Sequence, residues 1–159
     1  MKSKYLIFLL INFIFCIKEY KGEFAWRSID QTQFSQIDTL LISPQEFYLG
    51  RENLYFGTNE TIWWIYQFNQ RLYLKPKFLV VLYSEIGSPQ PVEIDLRVVE
   101  PEYQDGIHFL KQFYPPLEEG KYLLKIATTE EKVPFDQVEF FVLPQKEIQH
   151  ISGPVNSIE

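Results

Sequence analysis

The chain has one cysteine, one methionine and two histidines among 159 residues. A single cysteine excludes an intrachain disulfide scaffold, a cysteine-based zinc site and an iron–sulfur cluster. Catalytic signatures are missing too: the sequence has no G-x-S-x-G elbow and no glycine-rich nucleotide loop. His108 and His150 lie far apart, and neither has a serine and a carboxylate behind it in a catalytic pattern. Positive charge is scarce as well. Fifteen Lys and Arg stand against 21 Asp and Glu, for a net charge of −6, and a surplus of that sign repels a polyanion. Internal repeats, low-complexity tracts and long amphipathic helical patterns are absent. The chain is therefore expected to be no enzyme, to need no cofactor and to bind no nucleic acid.

What the sequence does have is apolar and aromatic material. Hydrophobic residues make up 46% and charged ones 23%, the balance of one folded domain. Aromatic residues reach 17%, with 14 Phe and 10 Tyr. The opening, MKSKYLIFLLINFIFCI, is basic at Lys2 and Lys4 and then apolar from Tyr5 to Ile17, interrupted only by Asn12. Such a run rises about 20 Å as a helix, short of the roughly 30 Å hydrocarbon core, so residues 1–17 are expected to direct export. Cys16 closes the run and resembles the lipidated cysteine of bacterial lipoproteins, which makes it the lipid-anchor candidate. That pattern has a small residue before the cysteine, and here Phe15 stands there; a plain signal peptide and an uncleaved short anchor stay open. The expected location is the periplasm, outer membrane or cell surface, with membrane association through the N-terminus. Residues 18–32 read as a polar tether.

Beyond it, short segments rich in Val, Ile, Leu, Phe, Tyr and Trp recur between Gly, Pro, Asn and Glu clusters, the pattern of an all-β domain over 33–144. They are QIDTLLI, LYFG, TIWWIYQF, KFLVVLY, PVEIDLRVV, KYLLKIAT and VEFFVLP. In PVEIDLRVV, Val92, Ile94, Leu96 and Val98 alternate with Glu93, Asp95 and Arg97, which predicts the apolar set in the core. KYLLKIAT sets Tyr122, Leu124 and Ile126 on one face, and VEFFVLP sets Val138, Phe140 and Val142 inward. TIWWIYQF and KFLVVLY are apolar on both faces, as in a central strand or one whose outer face binds something. KFLVVLY is alternatively a free sheet edge, guarded by Pro76, Pro89 and Pro91. DGIHFLKQFY fits a short helix stopped by Pro115 and Pro116, or a strand. Seven or eight strands are expected, in a two-sheet antiparallel sandwich, with a flexible tail at 145–159.

The stretch from Phe113 to Pro144, FYPPLEEGKYLLKIATTEEKVPFDQVEFFVLP, resembles the last hairpin of immunoglobulin-like and fibronectin type III-like domains. The matching residues are Leu117, Gly120 and Tyr122, a corner at which the tyrosine hydroxyl closes onto nearby backbone, followed by the strand Val138 to Leu143. Trp63 or Trp64 would match the core tryptophan of the second or third strand. The resemblance implies an immunoglobulin-like sandwich, a scaffold for adhesion and docking, and it transfers no active site.

Few side chains invite chemistry. Glu100, Glu102, Asp105 and His108 form the nearest thing to a metal cluster but lack the alternating oxygen-ligand spacing of a calcium loop, so no metal is expected. Glu118 with Glu119 and Glu130 with Glu131 read as solvated turn residues. Asn59, Glu60 and Thr61 form a glycosylation sequon. The aromatic residues carry the functional expectation, since Tyr48, Tyr55, Phe56, Trp63, Tyr66, Tyr73 and Tyr83 are too many for one small core. Trp63, Tyr66, Tyr73 and Tyr83 are the candidates for a protein-binding surface of an envelope module. The rival expectation is a carbohydrate-binding module using exposed Trp and Tyr.

Overall fold

The computed structural model describes residues 19–31, 43–73 and 76–151, apart from the side chains of 149–151. Cys16, the leader and QIDTLLI lie outside the described residues. Among those described are ten strands: β1 (Gly22–Asp30), β2 (Tyr48–Leu49), β3 (Tyr55–Gly57), β4 (Glu60–Phe68), β5 (Phe78–Ser84), β6 (Val92–Val99), β7 (Glu102–Gln104), β8 (Ile107–Tyr114), β9 (Gly120–Thr128) and β10 (Pro134–Leu143). A helix, α1 (Gln145–Ile151), follows. The strands form two five-stranded sheets, ordered β2-β1-β4-β8-β7 and β3-β10-β9-β5-β6. Every pairing is antiparallel except that of β3 with β10.

The period of two explains how the sheets meet. Along β4, Ile62, Trp64, Tyr66 and Phe68 point between the sheets, where they join Phe24 and Trp26 of β1 and Leu110 and Tyr114 of β8. The facing sheet sends in Phe78, Val80 and Leu82 from β5, Tyr122, Leu124 and Ile126 from β9, and Val138, Phe140 and Val142 from β10. The faces expected for β9 and β10 are therefore the observed ones. Aromatic rings bridge the layers: Trp26 lies 5.5 Å from Phe140, and Phe68 lies 5.0 Å from Phe78. The opposite face of the first sheet is apolar as well, with Ala25, Ile29, Trp63, Ile65 and Phe109 buried beside Phe47.

Several expectations need correcting. Residues 22–30, read as tether, are β1, paired with β4 over nine residues; Phe24 and Trp26 are buried on one face and Ala25 and Ile29 on the other, and the polar residues interleaved with them masked the strand. Among the described residues the strand count is ten because β1 was read as tether and because β2 and β7 span two and three residues, too few to show a periodicity. KFLVVLY is no edge: β5 pairs with both β6 and β9. DGIHFLKQFY is a strand, β8, entered from β7 through a tight turn in which Asp105 and Gly106 both take positive φ, 53° and 87°, the backbone that an Asp-Gly hairpin favours. The tail begins as a helix over Gln145–Ile151.

The largest reversal is in β6. It is a strand as expected, but Val92, Ile94, Leu96 and Val98 are exposed, while Asp95 and Arg97 are half-buried on the other face. β6 is the last strand of its sheet, so its inward face borders the open side between the layers and is filled by a guanidinium. Arg97 Cζ lies 5.0 Å from the Tyr114 ring centroid, and Arg97 Nη1 donates to Gln112 Oε1 and to the Phe113 carbonyl, both at 3.0 Å. From Asp95 to Val98 alternation separates the two faces and their assignment to core and surface is inverted; a register shift then skips Ile94, so that Glu93 pairs with Tyr83 and Val92 with Ser84.

Tyr122 is buried and its hydroxyl donates to the Glu118 carbonyl at 2.7 Å, while its ring stacks on Phe140 at 5.3 Å. Leu117 packs on the core, and a Cβ at Gly120 would collide with Ile86, so the glycine is required by close approach. Tyr122→Phe keeps the ring and leaves the Glu118 carbonyl without that donor. It is expected to lower the unfolding free energy by about 1–2 kcal/mol, read as a shift of the urea midpoint; an unchanged midpoint would deny the bond a stabilising role.

Candidate interaction site

The segment from Tyr48 to Gly57 leaves the first sheet and joins the second. β2 pairs with β1, setting Leu49 beside Ala25 and Tyr48 beside Trp26; β3 then runs parallel to β10, with Tyr55 beside Phe141 and Phe56 beside Val142. Between the two short strands the chain turns through Asn53, at φ 55°. The segment thus straps one open side between the layers.

Its entry is set by a capped turn. Ser43 caps the short 3-10 helix Pro44–Glu46, and the Glu46 carboxylate reaches back to accept from the Ser43 backbone N–H at 3.2 Å. Glu46 also pairs with Arg27 of β1. The Ser43 N–H and then the Arg27 guanidinium hold the Glu46 carboxyl below its ordinary range. Trp26 Nε1 donates to the Gly50 carbonyl at 3.0 Å, holding the strap against β1.

Below the strap lies a salt-bridged triad that joins the sheets. Arg51 Nη1 and Nη2 donate to Asp136 Oδ1 and Oδ2, both at 2.6 Å, and Nη2 also donates to the Gly22 carbonyl at 3.1 Å. The Tyr66 hydroxyl donates to Asp136 Oδ2 at 2.8 Å. Strap, β1, β4 and β10 therefore meet at one carboxylate. Burial by itself raises the Asp136 pKa, but the Arg51 and Tyr66 hydrogen bonds outweigh it and hold the group below its ordinary 3.8. Burial first, then the hydrogen bond to Asp136 and its charge, push the Tyr66 phenol far up, so it stays a neutral donor. Gly22 must be glycine here, because a Cβ would strike the Gln67 carbonyl and the Tyr66 ring.

Strap and β1 together border an open cleft of about 600 Å³. Trp26 and Phe56 are its buried apolar members, while Tyr48 is 81% exposed, Leu49 61% and Tyr55 37%. Arg27, Glu46, Glu52 and Asn53 supply polar groups to the same cleft. Apolar anchors with a polar rim are the make-up of a contact surface, and lone carboxylates beside an arginine offer no nucleophile or acid–base pair aimed at a common point.

The four residues proposed from sequence as interaction surface are not brought together. Trp63 and Tyr66 are buried and cannot touch a partner: Trp63 stacks on Phe113 at 4.7 Å, and Tyr66 serves the triad. They were misplaced because β4 is a central strand with both faces covered. Tyr73 is 85% exposed and borders a second cleft with Tyr103 and His108. Tyr83 is half-buried on the outer face of the second sheet, with Lys125 Nζ 5.0 Å from its ring centroid. Of the wider aromatic set, Tyr48 and Tyr55 share the strap cleft. Sequence reasoning missed Leu49, Arg51 and Asp136; the last two are 85 residues apart, and no local pattern links them.

The metal candidates are spread out as well. Glu100 faces Lys77 at 3.1 Å, Glu102 lies 4.0 Å from Lys111, Asp105 sits in the hairpin turn, and the His108 ring lies 4.6 Å from Tyr103. Among the described residues no three His, Cys, Asp or Glu side chains converge as metal ligands. At the sequon, Asn59 Nδ2 donates to Asp30 Oδ2 at 2.6 Å, so the amide that would carry a glycan is engaged in the folded domain. No family model matches the chain, and no curated protein is similar to it in sequence.

Proposed function

We propose that this chain is a non-catalytic interaction module of a bacterial cell envelope, an immunoglobulin-like β-sandwich that binds a protein partner through the strap cleft. The strand order supports the fold: β1-β4-β8-β7 opposite β10-β9-β5-β6 follows the A-B-E-D and G-F-C-C′ order of immunoglobulin domains. The Tyr122 hydroxyl bonded to Glu118 at the start of β9 supports it too, in the position of the tyrosine corner. Export and membrane association rest on the N-terminal sequence, with Cys16 as the lipid-bearing residue.

The observation that carries the function is the exposure of Tyr48 and Leu49 beside Tyr55 around one cleft with buried aromatic residues in its wall. Large apolar side chains grouped around a concavity are unfavourably exposed to water, and covering them on contact lowers the free energy. A sugar-binding platform is the second reading, and burial weighs against it: the three tryptophans, Trp26, Trp63 and Trp64, are all buried, which leaves only tyrosines for stacking.

A photo-reactive residue at position 48, in the protein expressed in its native host, is expected to give a reproducible crosslink to one envelope protein. Tyr55→Ala is then expected to weaken that complex about tenfold, the loss of one interface anchor. Absence of any protein crosslink, with Tyr48-dependent retention on immobilised glycans, would overturn the reading in favour of carbohydrate. Intact mass of the same envelope fraction tests the anchor: lipid mass on Cys16 with the preceding residues removed is expected, and an unmodified thiol would refute lipidation.

A further inference from the structure

The chain is fixed to the sandwich even before β1 begins at Gly22: Tyr20 is buried, with its ring 5.1 Å from Phe78 and 5.4 Å from Phe135. The apolar run that opens the sequence ends at Ile17, three residue steps before Tyr20, a span of at most about 11 Å. A headgroup layer is itself about 5–8 Å deep. The strand registers decide which side chains stand at this end of the domain. In the first sheet Gly22 pairs with Phe68 and Gln67 with Phe109, which puts the β4–β5 connection and the β7–β8 hairpin there. In the second, Phe78 pairs with Thr128 and Pro134 with Ala127, so the β9–β10 turn joins them, and Phe68 meets Phe78 across the layers. Exposed apolar side chains collect at this end: Tyr73 at 85%, Val133 at 66%, Tyr103 at 55% and Ile107 at 37%. Tyr73 and Tyr103 border an open cleft of about 540 Å³ together with Arg71, Leu72 and His108. Arg27, Arg51 and Arg97 each pair with a carboxylate. Arg71, by contrast, is exposed and has no hydrogen-bond or ion-pair partner among the described residues.

We propose that this end of the sandwich is a bilayer-contact surface, with Tyr73 and Tyr103 seated among lipid headgroups and Arg71 on a lipid phosphate in the cleft they border. The inference rests on the reading of residues 1–17 as the membrane-associated part of the chain, because a run ending within about 11 Å of Tyr20 leaves this end no room to stand clear of the headgroups. Side-chain chemistry selects the same occupant. A tyrosine ring with a polar tip matches the boundary between hydrocarbon and water, and the planar fork of a guanidinium matches two phosphate oxygens. Charge alone does not drive the contact. Lys21, Lys77 and Lys132 stand at this end, but Glu19 lies 3.2 Å from Lys21 and Glu100 3.1 Å from Lys77, while Asp105, Glu130 and Glu131 occupy the turns. Aromatic and aliphatic contact with one phosphate therefore carries the binding, rather than a positive field. The strap cleft borders Trp26 to Ser28, further along β1, so a protein partner and the bilayer engage different surfaces and fail independently.

An aromatic photo-reactive residue at position 73 of the full chain, expressed in its native host, tests the contact. Lipid mass that a phospholipase shortens is expected on that residue, and none on the same probe at position 119, in the exposed β8–β9 turn at the other end of the strands. Arg71→Gln is expected to lower the position-73 lipid adduct about fivefold, the weight of one basic side chain at a lipid surface, with the far-UV spectrum unchanged. Membrane fractionation of the same cells reports the N-terminal anchor separately. A chain held in the membrane whose position 73 reaches only protein or water, labels lipid no more than position 119, or is indifferent to Arg71→Gln would overturn the bilayer surface and leave the anchor standing. A chain recovered wholly in the soluble fraction would overturn both.

Discussion

Trp64→Ala is expected to destabilise the domain by about 4 kcal/mol, within the range of about 3–5 kcal/mol for aromatic-to-alanine changes at sites that cannot collapse. Trp64 is fully buried at the centre of β4, with Phe24 beside it and core residues of the second sheet across from it. Truncation removes the transfer free energy of a whole indole and leaves a cavity that the close-packed sheets on either side do not fill. Urea unfolding followed by far-UV circular dichroism checks it, with the slope unchanged and the midpoint lowered. Trp64→Phe, which retains a ring, is expected to lose less than half as much. An Ala variant within about 1 kcal/mol of wild type would mean the core repacks around the vacancy.

Asp136→Ala is expected to follow, at about 2–3 kcal/mol. Removing this carboxylate strips Arg51 of its bidentate partner and the buried Tyr66 hydroxyl of its acceptor in one step. Fully buried pairs broken on one side lose about 3–5 kcal/mol; the figure here is lower because the Arg51 side chain is 42% exposed and water takes over part of its solvation. The same carboxylate sets a pH dependence. Its pKa in the folded chain lies below the ordinary 3.8, so the folded state binds its proton less readily than the unfolded one. The stabilisation is complete above the unfolded pKa and is lost as pH falls from about 4 through the folded pKa. Wild type is expected to lose urea resistance over that acid range, and Asp136→Asn, already weakened at pH 7, to show a shallower decline there. Parallel acid declines in the two proteins would assign the effect to other carboxylates.

These two sites differ in how far they could be read in advance. The tryptophan pair stands in TIWWIYQF, and strict alternation puts Trp64 with Ile62, Tyr66 and Phe68; membership of the core follows once that face is inward. The triad has no such signature, because Arg51 lies in a loop and Asp136 at the start of β10, and only the packing of two sheets brings them within 2.6 Å. The contact surface shows the same division. Aromatic abundance announced that some rings would be left outside, but Trp63 and Tyr66 look no different in sequence from Tyr48 and Tyr55. Burial depends on what covers a face, and a central strand is covered on both.

β6 shows where alternation stops being informative. A period of two separates Val92, Ile94, Leu96 and Val98 from Glu93, Asp95 and Arg97, but it carries no sign; the apolar set is inward only if the strand lies over the core. At the edge of the sheet the inward position is the rim, where an arginine stacked on Tyr114 and bonded to Gln112 is better placed than a valine. The bond from the Tyr122 hydroxyl to the Glu118 carbonyl is different in kind, because its partners are four residues apart and the contact is local.

By itself, then, the sequence determined the all-β class, most of the long strands and the faces of β4, β9 and β10, since these follow from side-chain alternation. Only the tertiary structure decided which strand lies at an edge, which aromatic residues meet water, and that Tyr48, Leu49 and Tyr55 border one cleft while Arg51, Asp136 and Tyr66 join two sheets. Those outcomes depend on contacts between residues far apart in the chain, and a free energy of burial belongs to the neighbours a side chain acquires, not to the side chain alone.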